Sequence, residues 1–234
     1  MTFARTLLLC AACLLADGAC AGPADVNAWI AVLRKTTGAP CVRVLGHSEG
    51  GLVALAAGQA PDICGLVLVS TAGRPLAEVL REQLAANPDN AALLDPAMRA
   101  IAALERGERV DATTLPAALR GLFNPRVQGF LISDMSCDPG QLVAQLQKPV
   151  LVLQGQRDIE VGEADARRLK QKAPRAELVL LPGVNHVLKA VPTDDRGTNV
   201  AAYADPSLPL VPGVVDAIAG FLSRNAVATG KQTP

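Results

Sequence analysis

Aromatic side chains are nearly missing from this chain: one tryptophan, one tyrosine and four phenylalanines in 234 residues. Its core must therefore be packed from aliphatic side chains and alanine. The stacking platforms on which proteins hold nucleic-acid bases are missing too. Neither sign of charge is in excess, because 22 basic residues balance 22 acidic ones, and no basic run interrupts the sequence. Nucleic acid is thus excluded as the expected partner. There is no internal repeat and no low-complexity tract. The apolar run Leu7 to Leu15 falls short of the roughly 20 residues needed to cross a bilayer. Histidine occurs only twice, so an imidazole-dependent reaction must use His47 or His186.

What is present begins with a hydrophobic content of 50%, enough for one domain with a sizeable core. Arg5, the apolar run and the small-x-small site Ala19-Cys20-Ala21 predict a secretory signal peptide over 1–21, with Gly22 as the mature N-terminus. A buried core helix is the competing reading. The mature domain, 22–234, is accordingly expected in the periplasm or outside the cell. Cys41, Cys64 and Cys137 then remain. Cys41 and Cys64 each open an expected strand and pair in an oxidising compartment if those strands are neighbours. Alternatively they are two small buried hydrophobes. Cys137 is left over in both cases.

The pattern of apolar residues alternates between strand and helix. Val26, Trp29, Ile30 and Leu33 recur at helical spacing over Asp25 to Arg34, and Gly38 is a stop signal. Strands are expected at Cys41 to Leu45, Ile63 to Ser70, Pro149 to Leu153 and Glu177 to Leu181. Helices are expected at Glu49 to Gln59, Glu163 to Gln171 and Gly213 to Ser223, the last with Val214, Ile218, Phe221 and Leu222 inward. Between Thr71 and Gln147 the character is helical. Leu76, Val79, Leu80 and Leu84 mark one helix, Asp95-Pro96 starts a second that Gly107 ends, and Leu115 to Leu122 and Gln141 to Gln147 supply two more. Thr193 to Pro212 reads as a proline-rich loop. Strands alternating with helices predict an α/β fold with a parallel sheet.

One stretch carries chemistry. Val42-Arg43-Val44-Leu45 leads into Gly46-His47-Ser48-Glu49-Gly50, and helix-forming residues come next. Strand, tight turn, helix is the context in which Gly-x-Ser-x-Gly presents a serine hydroxyl above a sheet. Gly46 and Gly50 are expected to keep bulk away from the strained serine. A serine hydroxyl needs a base, and the base an orienting acid. His47 lies inside the turn and is not expected to face the serine productively. His186, on the loop after the last strand, is the base candidate. Asp158, on the loop after the preceding strand, is the acid, with Glu160 the second choice. Asp134 and Asp138, in the helical segment, are worse placed. Ser70 is expected only to cap the turn after it.

On Gly46-His47-Ser48-Glu49-Gly50, Gly155-Gln156-Arg157-Asp158 and Gly183-Val184-Asn185-His186, the chain resembles the α/β-hydrolase superfamily. It is most similar to secreted or periplasmic members carrying Gly-His-Ser-Glu-Gly, with Ser70-Thr71-Ala72-Gly73-Arg74 after the next strand. The resemblance implies a mostly parallel sheet of about four strands, N-terminally truncated, with a helical cap over about 71–147 covering the substrate. It makes Ser48 the nucleophile, Asp158 the acid, His186 the base and the backbone N–H of Glu49 an oxyanion donor. No metal or organic cofactor is implied. The expected substrate is a small-molecule carboxylic ester, cleaved through an acyl-enzyme on Ser48. An aminopeptidase that uses Glu78, Glu82 or Glu105 to recognise an amine is one alternative, and a truncated non-catalytic remnant is another. Family members place several strands before the nucleophile strand, whereas the residues between Gly22 and Ser48 hold one helix and one strand. No His-Gly segment is available for a second oxyanion donor. Cys41 to Leu45 would then be an unpaired apolar edge, a template for dimerisation.

Overall fold

In the computed structural model, which describes residues 22–226, the four apolar runs form one parallel sheet. Its strands are β1 (Val42–His47), β2 (Ile63–Val69), β3 (Val150–Gly155) and β4 (Glu177–Leu181), in the spatial order β1-β2-β3-β4. The expected signal peptide, 1–21, lies outside the described residues. The chain divides into two compact units, the sheet unit (22–73 with 139–226) and a helical unit (74–138).

In the sheet unit, β2 and β3 are buried on both faces, which is why they read as unbroken apolar runs. Successive side chains alternate between faces. Leu66, Leu68, Val150 and Val152 pack with Ile30, Leu55 and Leu169, which belong to α1 (Pro23–Thr37), α2 (Glu49–Ala57) and α7 (Glu163–Lys172). Val67, Val69, Leu151 and Leu153 pack on the other face with Val214 and Phe221 of α9 (Pro212–Arg224). A short helix, α6 (Pro139–Ala144), precedes β3.

Among the described residues β1 is an edge strand, hydrogen-bonded to β2 alone. A disulfide between Cys41 and Cys64, with Cα atoms 5.6 Å apart, joins the starts of these two strands, and Cys137 is a free thiol. Leu45 on β1 is 51% exposed and Trp29 on α1 is 68% exposed. The expected apolar face of α1 is therefore only partly used: Ile30 is buried and Val26 half-buried, while Leu33 is open to solvent. Lying at the sheet margin over β1 and α2, α1 has core against only half of its stripe. On α9, likewise, Val214 and Phe221 are buried while Leu222 is exposed.

The helical unit contains α3 (Leu76–Ala85), α4 (Ala91–Glu105) and α5 (Pro125–Met135) around Ile101, Leu104, Leu119, Phe123 and Leu131. Two expectations fail here. The second helix starts before Asp95-Pro96, and Pro96 lies within it. Leu93 and Leu94 pack against the core of the unit. The buried Asn90 donates its Nδ2 to the carbonyl of Leu84 at 2.9 Å, fixing the start. No α-helix forms over Leu115 to Leu122; there are only 3-10 turns at Ala112–Thr114 and Ala117–Leu119. Pro116 holds an extended ψ of 142°, and the helix begins instead at Asn124-Pro125, where Asn124 Oδ1 accepts from the N–H of Arg126 at 2.9 Å. That is an N-cap with proline at the first helical position.

A third correction concerns Thr193 to Pro212, which contains helix α8 (Arg196–Tyr203). Asp195 caps it, accepting from the N–H of Thr198 at 2.7 Å. No helix of the described residues is long and apolar enough to cross a membrane.

Candidate active site

Ser48 sits between the end of β1 and the start of α2 with φ 55° and ψ −122°, a strained conformation for a residue with a side chain. Its N–H donates to the carbonyl of Val69 at 2.8 Å, which locks the turn to β2. The strain is tolerated because two neighbours have no side chain. A Cβ on Gly46 would lie 2.1 Å from the carbonyl oxygen of Gly50, and one on Gly51 would lie 2.0 Å from Thr71 Oγ1. Gly50 has open space around it. The close approach expected at Gly50 is therefore made one residue later, at Gly51, because that position of α2 faces the strand-end segment carrying Thr71.

Asp158 and His186 come together from the loops after β3 and β4. His186 Nδ1 donates to Asp158 Oδ2 at 2.8 Å, and the two side chains are 5% and 0% exposed. The Asp158 carboxylate is hydrogen-bonded at both oxygens. Its Oδ1 accepts from the backbone N–H groups of Glu160 and Val161, both at 2.9 Å. Gln154, buried in β3, donates Nε2 to Asp158 Oδ2 at 3.1 Å, to the carbonyl of Val161 at 2.9 Å and to that of Gly155 at 3.0 Å. The two loops meet at Gly155, where a Cβ would lie 2.3 Å from the carbonyl oxygen of Val184. The N–H of Arg157 donates to that same carbonyl at 2.9 Å. Asn199 of α8 donates to the carbonyl of Arg157 at 2.7 Å.

Glu160 also reaches the histidine, from the other side. Its Oε2 lies 3.6 Å from His186 Nε2, and its side chain is 7% exposed. That separation is ion-pairing distance, too long for a hydrogen bond. Both carboxylates considered as acid candidates thus flank one imidazole, Asp158 at Nδ1 and Glu160 at Nε2. Neither ring nitrogen is hydrogen-bonded to Ser48 among the described residues. Burial by itself lowers the His186 pKa. The hydrogen bond and charge of Asp158, with the charge of Glu160, outweigh it and leave the pKa above the ordinary histidine value.

His47, within the serine turn, touches His186. Its Nε2 donates to the backbone carbonyl of His186 at 2.8 Å, and the two rings lie 4.9 Å apart. Glu49 opens α2, where the first N–H groups have no carbonyl within the helix and face outward. Desolvation pushes its carboxyl up to about 7. Ser70, fully buried with φ 48°, does not cap the next turn, since its hydroxyl has no hydrogen-bond partner. Asp134 belongs to α5, in the helical unit. Sequence reasoning sets His47 aside without its contact to the His186 carbonyl, and misses Gly51 and Gln154. A glutamine ending an otherwise apolar run is the available signal for the last of these. Among the described residues no group of three or more His, Cys, Asp or Glu side chains is arranged to hold a metal ion.

A model of the Alpha/beta hydrolase family matches residues 10–203. The chain belongs to that family. Solved structures of other proteins resemble it in fold at low identity. A putative non-heme bromoperoxidase from Mycobacterium tuberculosis is 21% identical, with a TM-score of 0.51 over 88% of this chain and 74% of its own. A thermophilic esterase from Thermogutta terrifontis is 20% identical, with a TM-score of 0.50 over 88% and 74%. A structure from a study of carboxylesterases of Nitrososphaera gargenis is 17% identical, with a TM-score of 0.50 over 90% and 75%. No curated protein matches the chain.

Proposed function

We propose that this α/β hydrolase is a serine hydrolase that cleaves carboxylic esters through an acyl-enzyme on Ser48. The observation carrying this reading is a strained serine turn at the carboxyl end of β1, with a buried, hydrogen-bonded Asp158–His186 pair after β3 and β4 of the same parallel sheet. In the proposed reaction His186 Nε2 takes the Ser48 proton as Oγ attacks the ester carbonyl. Asp158 fixes Nδ1 as the protonated nitrogen and stabilises the imidazolium that forms. The N–H of Glu49, at the start of α2, donates to the developing oxyanion. His186 then protonates the leaving alkoxide, and water releases the acid by the same steps.

Two observations weigh against an amine-recognising peptidase. Glu105 is engaged by Arg81, and Glu82 by Arg74, within the helical unit. An ester requires no such counter-charge. The Cys41–Cys64 disulfide supports an oxidising compartment, the periplasm or the cell exterior.

A fluorophosphonate probe tests the assignment. Labelling of the wild type and none of Ser48→Ala is expected, with turnover of short-chain nitrophenyl esters. Folded wild type that neither labels nor turns over any ester would show a non-catalytic protein instead.

A further inference from the structure

We infer that Glu160 is a positioning residue that holds protonated His186 turned from Ser48, so that the base is delivered to the serine only when Nε2 gives up its proton. The geometry is specific. Nδ1 is committed as a donor to Asp158 at 2.8 Å, so Nε2 alone is left to accept a proton from Ser48. That nitrogen lies 3.6 Å from Glu160 Oε2, and both side chains are more than nine-tenths buried. A carboxylate beside Nε2 is attractive when the nitrogen carries a proton. When it does not, two electron-rich atoms confront each other.

The charged and titratable groups facing the ring come from two elements. The loop after β3 provides Asp158 and Glu160, and the turn after β1 provides His47. The two carboxylates favour the imidazolium. His47 is pushed below the ordinary histidine range by desolvation, so near neutral pH it adds little positive charge to oppose them. The sign is then fixed. Glu160 raises the pH at which His186 becomes a base, and the acid limb of the reaction lies above that of an ordinary histidine. Loss of the Nε2 proton removes the attraction to Glu160 and leaves a lone pair that Ser48 Oγ–H can approach. No bond other than N–H is made or broken, and the proton leaves to solvent.

The consequence for Ser48 rests on the serine-hydrolase reading, whereas the proton affinity of His186 does not, and the experiment keeps these apart. With two histidines in the chain, an imidazole carbon–proton NMR titration of full-length Ser48→Ala resolves each ring, and His47→Asn assigns them. Adding Glu160→Gln is expected to lower the His186 proton affinity at least about threefold, while Glu160→Asp, which keeps the charge, restores most of it. A purely structural role would predict equal effects of the two variants. Fluorophosphonate labelling of the Ser48-bearing protein against pH should show its acid limb moving the same way in Glu160→Gln. An unchanged His186 titration in Glu160→Gln overturns the inference even if labelling is robust. Absence of labelling at every pH overturns the hydrolase reading and leaves the titration to decide the role of Glu160.

Discussion

His47 Nε2 donates a hydrogen bond to the backbone carbonyl of His186 across 2.8 Å, tying the turn that carries Ser48 to the loop that carries its proposed base. The two loops are 139 residues apart in sequence, and here one side chain sets their spacing. His47→Ala is expected to lower kcat about fivefold, the equivalent of about 1 kcal/mol for one hydrogen bond, with KM little changed. His47→Gln, which keeps a donor, should recover part of the loss. Steady-state ester kinetics on the three proteins decide this, and a pure KM effect would count against it.

The serine turn itself makes an asymmetric prediction for its neighbouring glycines. Gly51→Ala would press a methyl onto the side chain of Thr71 and is expected to destabilise the fold by about 1–3 kcal/mol. Gly50→Ala meets nothing and should be tolerated. Pairing Gly51→Ala with Thr71→Gly removes all three nearest atoms and should return part of the lost stability. Urea denaturation midpoints provide the comparison.

Glu49 links stability to pH. Its carboxyl is held at about 7 in the folded protein, against 4.5 for the free group, because it is desolvated. The favourable charge–dipole position at the start of α2 does not offset this. The folded state therefore binds this proton more tightly than the unfolded chain does. That contribution is fully present below about pH 4.5 and is lost as pH rises towards and past 7. Its ceiling is about 3 kcal/mol, lowered by whatever solvent still reaches the group. Thermal melts across this window should show a smaller decline for Glu49→Gln than for the wild type.

The disulfide gives the last prediction. It closes a loop of sequence separation 23, so its removal is expected to cost about 3 kcal/mol by chain entropy. Cys41→Ser with Cys64→Ser should melt well below the oxidised protein, and a reductant should bring the wild type towards the same temperature. Equal melting of all three would mean that the bridge does not hold the fold.

Much of this arrangement is legible in the sequence, for physical reasons. Ile63 to Ser70 and Pro149 to Leu153 stand out as strands because burial on both faces leaves them almost no polar positions. Ser48, Asp158 and His186 emerge from the residues placed just after the end of a strand, where a parallel sheet gathers its loops on one edge. Local signals fail where tertiary packing outweighs them. Pro96 looks like a helix start, but the apolar contacts of Leu93 and Leu94 extend α4 in front of it. Leu115 to Leu122 has helical spacing, yet Pro116 breaks it, and the stronger cap lies at Asn124-Pro125. Asp195 hides a capped helix inside a stretch that its prolines make look like loop. Trp29 and Leu33 show the limit of periodicity: it identifies a face, and cannot tell whether anything lies opposite. Glu160 shows a similar limit within the site. The sequence suggests two competing acids, and only the fold places one on each nitrogen of the same ring.

β1 carries the serine turn and is laced to the sheet along one side only. In amide hydrogen exchange its protection comes from β2 alone, as that of the other edge strand, β4, comes from β3 alone, so both open with fewer bonds broken than the two central strands. One end of β1 cannot leave, because Cys41 is covalently fastened to Cys64. Peeling must then start at the opposite end, where the N–H of Ser48 holds the carbonyl of Val69. The first backbone bond of this strand to loosen is thus expected to be the one that keeps the serine in place, and loss of activity on warming should precede loss of the fold.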